Sequence, residues 1–478
     1  EYTQSWGNND WFKIFYRNWV PATENNLSIS GGGEKSTYYF SANYLNQDGL
    51  NRINTDHLNR YSINGKIKVE VLPYLSLMYN SRFIRSDYNS SAYMGGLFYH
   101  NIARRWPTLP TVDPNGNDFF GNEVTELKSS FSKNQQDFLD QQIVLVFSPI
   151  KGWDTNAEFN YKIENFTTDT KYTPIYRYDQ NGNRIATNYR TGAGWDVDGG
   201  SNLNSYYWKT GFFNTNIYST YQKTLNELHN FKIMAGMQAE LYKARNFSAS
   251  RDRLLLNDFF NLGGTAGSND DVSGAAAQWS TFGTFARLNY DYARKYFLEA
   301  NIRLDASSRF LRDQRWRWYP SVSAGWNIAR ENFWSDSYLG NNLNEFKLRA
   351  SYGSLGNQNW GGNYYPFFLS QPYGTQSGRW LINGQYTNTA SAPGLVSTNL
   401  TWENVSTANF GLDISALQSR LTAHVDYFVR WTKGMVGAAP ELPNVLGLAA
   451  PAFNNSDLKT KGFEVNVSWR DKIGEDFS

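Results

Sequence analysis

Apolar and polar residues alternate with a period of two through four consecutive segments between Trp279 and Gly353. In FGTFARLNYDY (282–292) the even positions carry Phe282, Ala286, Leu288, Tyr290 and Tyr292, while the odd ones include Arg287, Asn289 and Asp291. YFLEANIRLD (296–305) sets Tyr296, Leu298, Ala300, Ile302 and Leu304 against Glu299, Asn301, Arg303 and Asp305. WRWYPSVSAGWNI (316–328) sets Trp316, Trp318, Val322, Ala324, Trp326 and Ile328 against Arg317, Ser321, Ser323 and Asn327. FKLRASYG (346–353) closes the series with Phe346, Leu348, Ala350 and Tyr352 against Lys347, Arg349 and Ser351. Such a period predicts strands, because successive side chains leave opposite faces of the pleat.

A soluble sandwich alternates too, with its apolar face under a second layer. Three further features separate this chain from that reading. The strands are about 10 residues or longer, Trp and Tyr gather at their ends, and short turns alternate with long links. Together they predict a transmembrane antiparallel β-barrel, apolar toward lipid and polar toward the lumen, with aromatic girdles at the interfaces.

The same pattern recurs along the chain. Residues 1–24, with WGNNDWFKIFYRNW, are expected to form an extracellular loop, and 25–478 a partial barrel. LSISG (27–31) is expected to lead to a tight turn, GGGEKST (31–37), whose glycines allow positive φ. Strands are predicted at 39–44, 61–71, 75–83, 141–147, 153–161, 212–221, 231–240, 404–415, 421–430 and 463–469. Long extracellular loops are expected at about 87–138, 168–209, 244–278, 354–401 and 433–460. The total is about 15 strands, whose unpaired edges a bilayer does not tolerate, so a larger closed barrel is expected to contain them.

Composition changes the picture in three places. Lys and Arg number 45 against 43 Asp and Glu, without basic runs, so no nucleic-acid partner is indicated. Cysteine is absent, which removes disulfide frameworks and thiolate chemistry. Aromatics reach 17%, yet no apolar run attains the roughly 18 residues of a spanning helix. No signal peptide is recognisable, so Glu1 is expected to be an internal start.

Read in order, the segments resemble the SusC/RagA family of TonB-dependent outer-membrane transporters of Bacteroidetes-type bacteria. The resemblance is carried by NDWFKIFYRNW (9–19), NLSISGGGEKSTYYFSANYLNQDG (26–49) and RLNYDYARKYFLEANIRLDASSRF (287–310). YPSVSAGWNI (319–328), FKLRASYGSLGNQ (346–358), LTWENVSTANFGLDI (400–414) and LKTKGFEVNVSW (458–469) complete it. Ala306 departs from the family pattern, which usually has glycine in this turn. The resemblance implies a multi-pass outer-membrane barrel of roughly 22 strands with an N-terminal plug, of which this chain would carry the second to the sixteenth. The plug domain and the TonB box are not recognisable in these residues. Also implied are TonB of the inner-membrane energy complex and a SusD-like surface lipoprotein lid. The expected function is uptake of an oligosaccharide or peptide nutrient through the outer membrane. A metal-chelate or vitamin receptor, a non-importing structural or translocon barrel, and a soluble carbohydrate-active β protein are the alternatives.

No catalytic constellation, cofactor motif or metal-ligand spacing is present. The four histidines, His57, His100, His229 and His424, are scattered over separate segments. Asp113-Pro114-Asn115-Gly116 and Asp179-Gln180-Asn181-Gly182 read as turns, with calcium ligation as the competing reading. Asp270 and Asp271 read as a solvated loop. The substrate-binding candidates are loop aromatics, Trp195, Trp360, Tyr364, Tyr365 and Trp380, whose rings suit the faces of sugars; pinning of the loops or contact with a lipoprotein explains them equally. The second group is lumen-facing charge, Glu299, Arg303, Asp305, Arg349, Asp426 and Arg430, expected to meet a plug or line a solute path, with plain hydration as the alternative.

Overall fold

In the computed structural model the described residues are 7–93, 96–118, 123–179, 181–187, 201–256, 259–267, 270–335, 337, 340, 342–359, 364–374, 381–437, 443, 445, 447, 448 and 450–471. The chain opens with a short helix α1 (Trp11–Phe15), capped by Asp10, whose side chain accepts from the Lys13 N–H. Strands β1 (Ala22–Gly33), β2 (Ser36–Asp48), β3 (His57–Leu72) and β4 (Leu75–Ser90) follow. An insert carries α2 (Gly96–Arg104) and α3 (Glu123–Lys128) before β5 (Ser130–Ile150) and β6 (Trp153–Tyr172). A side hairpin of β7 (Ile175–Tyr178) and β8 (Arg184–Thr187) precedes β9 (Asn202–Leu225), β10 (His229–Asp252) and β11 (Asp270–Tyr292). Next come β12 (Tyr296–Ser307), β13 (Trp316–Asn327), α4 (Asn332–Ser335) and β14 (Leu343–Asn357). Short pieces β15 (Tyr373–Gly374), β16 (Leu381–Ile382), β17 (Gln385–Tyr386) and β18 (Thr389–Ala390) decorate the following link. The chain then runs through β19 (Glu403–Ala416), β20 (Leu421–Gly437) and β21 (Phe453–Trp469).

Fifteen strands form one antiparallel sheet in the order β1-β2-β3-β4-β5-β6-β9-β10-β11-β12-β13-β14-β19-β20-β21. Every neighbour is the next long strand in the sequence, an up-and-down meander. The strands reach beyond the alternating segments, so each long connection is shorter than the sequence pattern predicts. The insert after β4 is 91–129, not 87–138, and that after β6 starts at 173. The link after β10 is 253–269, which places Asp270 and Asp271 inside β11 instead of in a loop. The links after β14 and β20 are 358–402 and 438–452. Past the apolar band both faces of a strand meet polar surroundings, so alternation stops while backbone pairing continues. Two local expectations also fail. Residues 11–15 of the supposed opening loop are helical. Gly31, Gly32 and Gly33, placed in the turn by the sequence, lie in β1 instead, where Gly31 leaves room for the ring of its cross-strand partner Tyr38.

Two compact units divide the chain. The first comprises Glu1–Val144, Phe159–Phe213 and Tyr242–Gln278. Its small core lies outside the sheet: Trp11 and Phe15 of α1 pack with Ile102 of α2 and with Val124 and Leu127 of α3. Glu123, almost fully buried, is held there by an ion pair to Arg105.

The second unit comprises Leu145–Glu158, Asn214–Leu241 and Trp279–Ser478. Here the usual distribution of polarity is reversed. The apolar even-numbered side chains are the exposed ones, among them Leu298 (44%), Ile302 (46%), Trp318 (60%) and Val322 (47%). The odd-numbered polar face is half-buried under its own hydrogen bonds. Tyr296 stacks between Tyr292 and Trp326 near the short turns, and Phe282 meets Trp316 at the far end of the same strands. Ala293 and Arg294 both take positive φ in the β11–β12 turn, the geometry of a tight hairpin that glycine or asparagine more often supplies.

Candidate functional site

The polar face of the second unit is tied laterally by cations that cross glycines. Arg349 of β14 makes a two-pronged pair with Asp413 of β19 (2.8 and 2.9 Å) and reaches past that strand to Asp426 of β20 at 3.1 Å. It can do so because Gly411, opposite Arg349 in one direction and Asp426 in the other, has no side chain. A Cβ there would sit 2.6 Å from both the guanidinium carbon and the Asp426 carboxylate. His424 completes this group by contacting Asp413 at 2.9 Å.

Gly283 does the same work one sheet segment away. It faces Asp305, and a Cβ there would collide with the Asp305 carboxylate and with Arg303. Arg303 is thereby free to bind Asp305 (2.6 and 2.8 Å) and to reach Gln238 of β10 at 2.8 Å. Gln238 passes the connection to Glu240, which also receives Thr281 and Asn214. Glu299 is held by Asn289 and Asn301. Of the six charged residues expected on this face, Arg349 and Asp426 are therefore brought together, as are Arg303 and Asp305. Glu299 sits among amides, and Arg430 stands apart with its guanidinium 5.8 Å from the Phe428 ring. Asp413, Gln238, Glu240 and the two glycines were not singled out from the sequence; their odd or even position on the polar face was the available signal.

Toward the short turns this face hollows into a concavity of about 980 Å³, lined by Lys151, Lys232, Asn289, Asp291, Glu299, Ser323 and Lys347 among others. Lys347 crosses Gly325 there to lie 4.4 Å from the Phe297 ring. Replacing Gly411 by valine is expected to expel the Arg349 guanidinium and to remove about 1–2 kcal/mol of stability, the worth of a charge-assisted bond discounted for its partial exposure. A double-mutant cycle with Asp426→Asn checks this: the Asp426 change should cost measurably less in the valine background. Equal costs in both backgrounds would show that Gly411 has no part in the bridge.

At the other end of these strands a second cluster fastens the loops. Phe310, Tyr319 and Trp402 are buried together, with ring centroids 5.4 and 6.0 Å from Trp402. The Trp402 indole donates to the Arg315 carbonyl at 2.6 Å, and the Arg315 Nε donates to the Phe310 carbonyl at 2.8 Å. Asn454 bridges Thr401 and Gly434. Tyr364 is drawn onto this frame by Arg309, whose guanidinium lies 4.8 Å from its ring. Tyr365 instead meets Phe368 edge-on at 5.8 Å, inside its own loop. Trp195, Trp360 and Trp380 lie outside the described residues.

The two Asp-Asn-Gly loops, both in the first unit, are near copies. Asp113 Oδ1 accepts from the N–H groups of Asn115 and Asn117, and Oδ2 from the Asn117 side chain. Asp179 accepts the same set from Asn181 and Asn183. Each carboxylate is thus used by its own turn, and among the described residues no group of three or more His, Asp or Glu gathers to hold a metal. Burial raises the Asp113 pKa, but the combined hydrogen bonds of Asn117, Asn115 and Gly116 outweigh it and hold the carboxyl below its ordinary value. A depressed folded pKa stabilises the loop fully above the ordinary carboxylate range, and that contribution is lost as pH falls through the folded value. Limited proteolysis of the 91–129 insert should therefore accelerate under strong acid, and Asp113→Asn should show the faster cleavage already at neutral pH. Cleavage of the variant at the wild-type rate would refute the turn's role.

The sequence comparisons agree with this architecture. The family model "TonB dependent receptor-like, beta-barrel" matches residues 79–478. TonB-dependent receptor P3 of Formosa agariphila is 26% identical over 100% of this chain and 46% of its own length. TonB-dependent receptor SusC of Bacteroides thetaiotaomicron is 25% identical over 98% of this chain and 47% of its own. The chain thus spans under half the length of these curated relatives. Among solved structures, the RagAB peptide importer in its closed-closed state superposes with a TM-score of 0.81 at 22% identity, covering 98% of this chain and 50% of that one, which establishes likeness of fold.

Proposed function

The chain belongs to the TonB-dependent receptor β-barrel family of the bacterial outer membrane, and from that membership we propose that the whole protein imports an oligosaccharide or peptide nutrient through TonB. The observation that carries the reading is the reversed polarity of the sheet. Exposed Leu298, Ile302 and Val322 suit lipid, and the ion-paired face bearing Arg303, Asp305, Arg349 and Asp426 suits a hydrated lumen. The 980 Å³ concavity on that face, with lysines beside Asp291 and Glu299, suits a polar plug. A SusD-like lipoprotein would cap the long-loop end, where Tyr364 and Tyr365 lie. The likeness of fold to the RagAB peptide importer is compatible with a peptide, and the resemblance to the SusC/RagA family keeps an oligosaccharide beside it. The chemistry on the chain is that of binding and conduction, as in transporters of this family.

The complete protein, purified from outer membranes in mild detergent, tests the proposal. A co-purifying surface lipoprotein, and uptake of a glycan or peptide that stops when TonB is deleted, is the expected result. Uptake that continues without TonB would overturn it in favour of a passive or structural barrel.

A further inference from the structure

We propose that Arg309 anchors a subsite for an oxyanion, a carboxylate or sulfate, borne by an acidic oligosaccharide. The proposal rests on the import reading and adds the charge of the solute to it. Arg309 lies two residues past the end of β12 and is only 6% exposed. Its guanidinium is 5.1 Å from the Trp279 ring and 4.8 Å from that of Tyr364. Nη1 makes two long contacts, to the Gln358 carbonyl at 3.4 Å and to Asn359 Oδ1 at 3.2 Å. Nε is buried with no acceptor among the described residues, and the hydrogen bonds the guanidinium makes to them run from Nη1.

Three other buried or half-buried arginines behave differently. Arg105 pairs with Glu123, Arg303 with Asp305, and Arg349 with Asp413 and Asp426. Arg309, like half-buried Arg315, has no carboxylate among the described residues, but Arg315 gives its Nε to the Phe310 carbonyl while the Arg309 Nε has no acceptor there. A buried cation without a counter-charge is unfavourable, and burial here pulls the Arg309 pKa below its ordinary value. The edge not engaged by these bonds is Nε–Nη2, the one whose two parallel N–H groups match the paired oxygens of a carboxylate or sulfate.

The surroundings favour a sugar as the carrier. Gln358, whose carbonyl Arg309 touches, also buries its side-chain Oε1 without a donor among the described residues, an acceptor suited to a hydroxyl. Two aromatic rings and the Asn359 amide complete the neighbourhood, the groups that meet sugar faces and hydroxyls. Tyr364, a loop aromatic recognisable in the sequence, thus lies against an arginine of the DASSRF turn (305–310).

The full-length protein in detergent is titrated calorimetrically with tetragalacturonate and its fully methyl-esterified form, with a sulfated galactan tetrasaccharide and its desulfated form, and with tetra-alanine. Wild type is expected to bind at least one charged sugar tenfold or more tighter than its neutral twin. In Arg309→Gln that preference should fall to near unity, and Arg309→Lys should retain part of it, the ligand-free melting point of each variant reporting that the fold is intact. Equal binding of charged and neutral sugars overturns the oxyanion site and leaves the import reading standing, as would be seen if a carboxylate elsewhere in the full-length protein filled the edge. A preference that survives in Arg309→Gln, or an Arg309-dependent affinity for tetra-alanine alone, overturns the assignment to an acidic sugar. Binding of no saccharide, charged or neutral, overturns the assignment as well, and loss of TonB-dependent uptake of every solute would be needed to overturn the import reading with it.

Discussion

Arginine at position 322 is expected to cost about 2–4 kcal/mol of stability in a bilayer, while arginine at position 323 is expected to be nearly neutral. Val322 is 47% exposed on the apolar face, opposite Ala300 on one side and Tyr352 on the other. It lies midway along β13 between Trp318 and Trp326, the rings that mark the two ends of the apolar band. A guanidinium there has neither water nor a partner within reach. Ser323, one residue on, faces the opposite side and lines the large polar concavity, where a new cation meets solvent and Glu299. Urea titration of the full-length protein refolded into lipid vesicles measures both variants. Should Ser323→Arg prove the damaging one, the faces have been assigned the wrong way round and the membrane reading fails.

Trp402→Ala is expected to remove about 3–5 kcal/mol, the ordinary cost of emptying a buried aromatic site. The ring is 9% exposed, packs on Phe310 and Tyr319, and donates to the Arg315 carbonyl. Gly356 shows how closely this cluster is fitted, since a Cβ on it would overlap the Tyr319 hydroxyl and crowd Trp402. Trp402→Phe should lose much less, about 1 kcal/mol for the missing hydrogen bond plus a little packing. Loss of the indole should also loosen the 308–315 link that carries Arg309 and Phe310, so solute affinity should fall together with the melting point. A Trp402→Ala variant that melts like wild type would show that the loops are fastened by other means.

The strands between Trp279 and Gly353 were legible because lipid on one side and polar groups on the other impose a period of two that no loop sustains. The aromatic ends of those strands were legible for the same reason. Strand ends beyond the band were not, since a stretch such as Ser132–Asp137 in β5 is polar on both faces and differs from a loop only in its backbone pairing. The helix at Trp11–Phe15 was equally hidden, because five residues are too few to display a helical period.

At the level of single residues the division is similar. The alternation by itself put Arg303, Asp305, Arg349 and Asp426 on one face, since parity along a strand is a local property. Which of them meet was decided only by register. Arg349 and Asp426 are 77 residues apart, and they touch because β19 places Gly411, not a bulkier residue, between them. Arg309 sits in the DASSRF turn (305–310), where nothing local sets it apart as a site residue. Its burial against Trp279 and Tyr364, with no acid among the described residues, arises from three separate segments converging at one end of the sheet. Period, polarity and girdle follow from chain-local chemistry and are readable in one dimension. Ion-pair partners and the unpaired guanidinium depend on which strands stand side by side, and only the folded sheet supplies that.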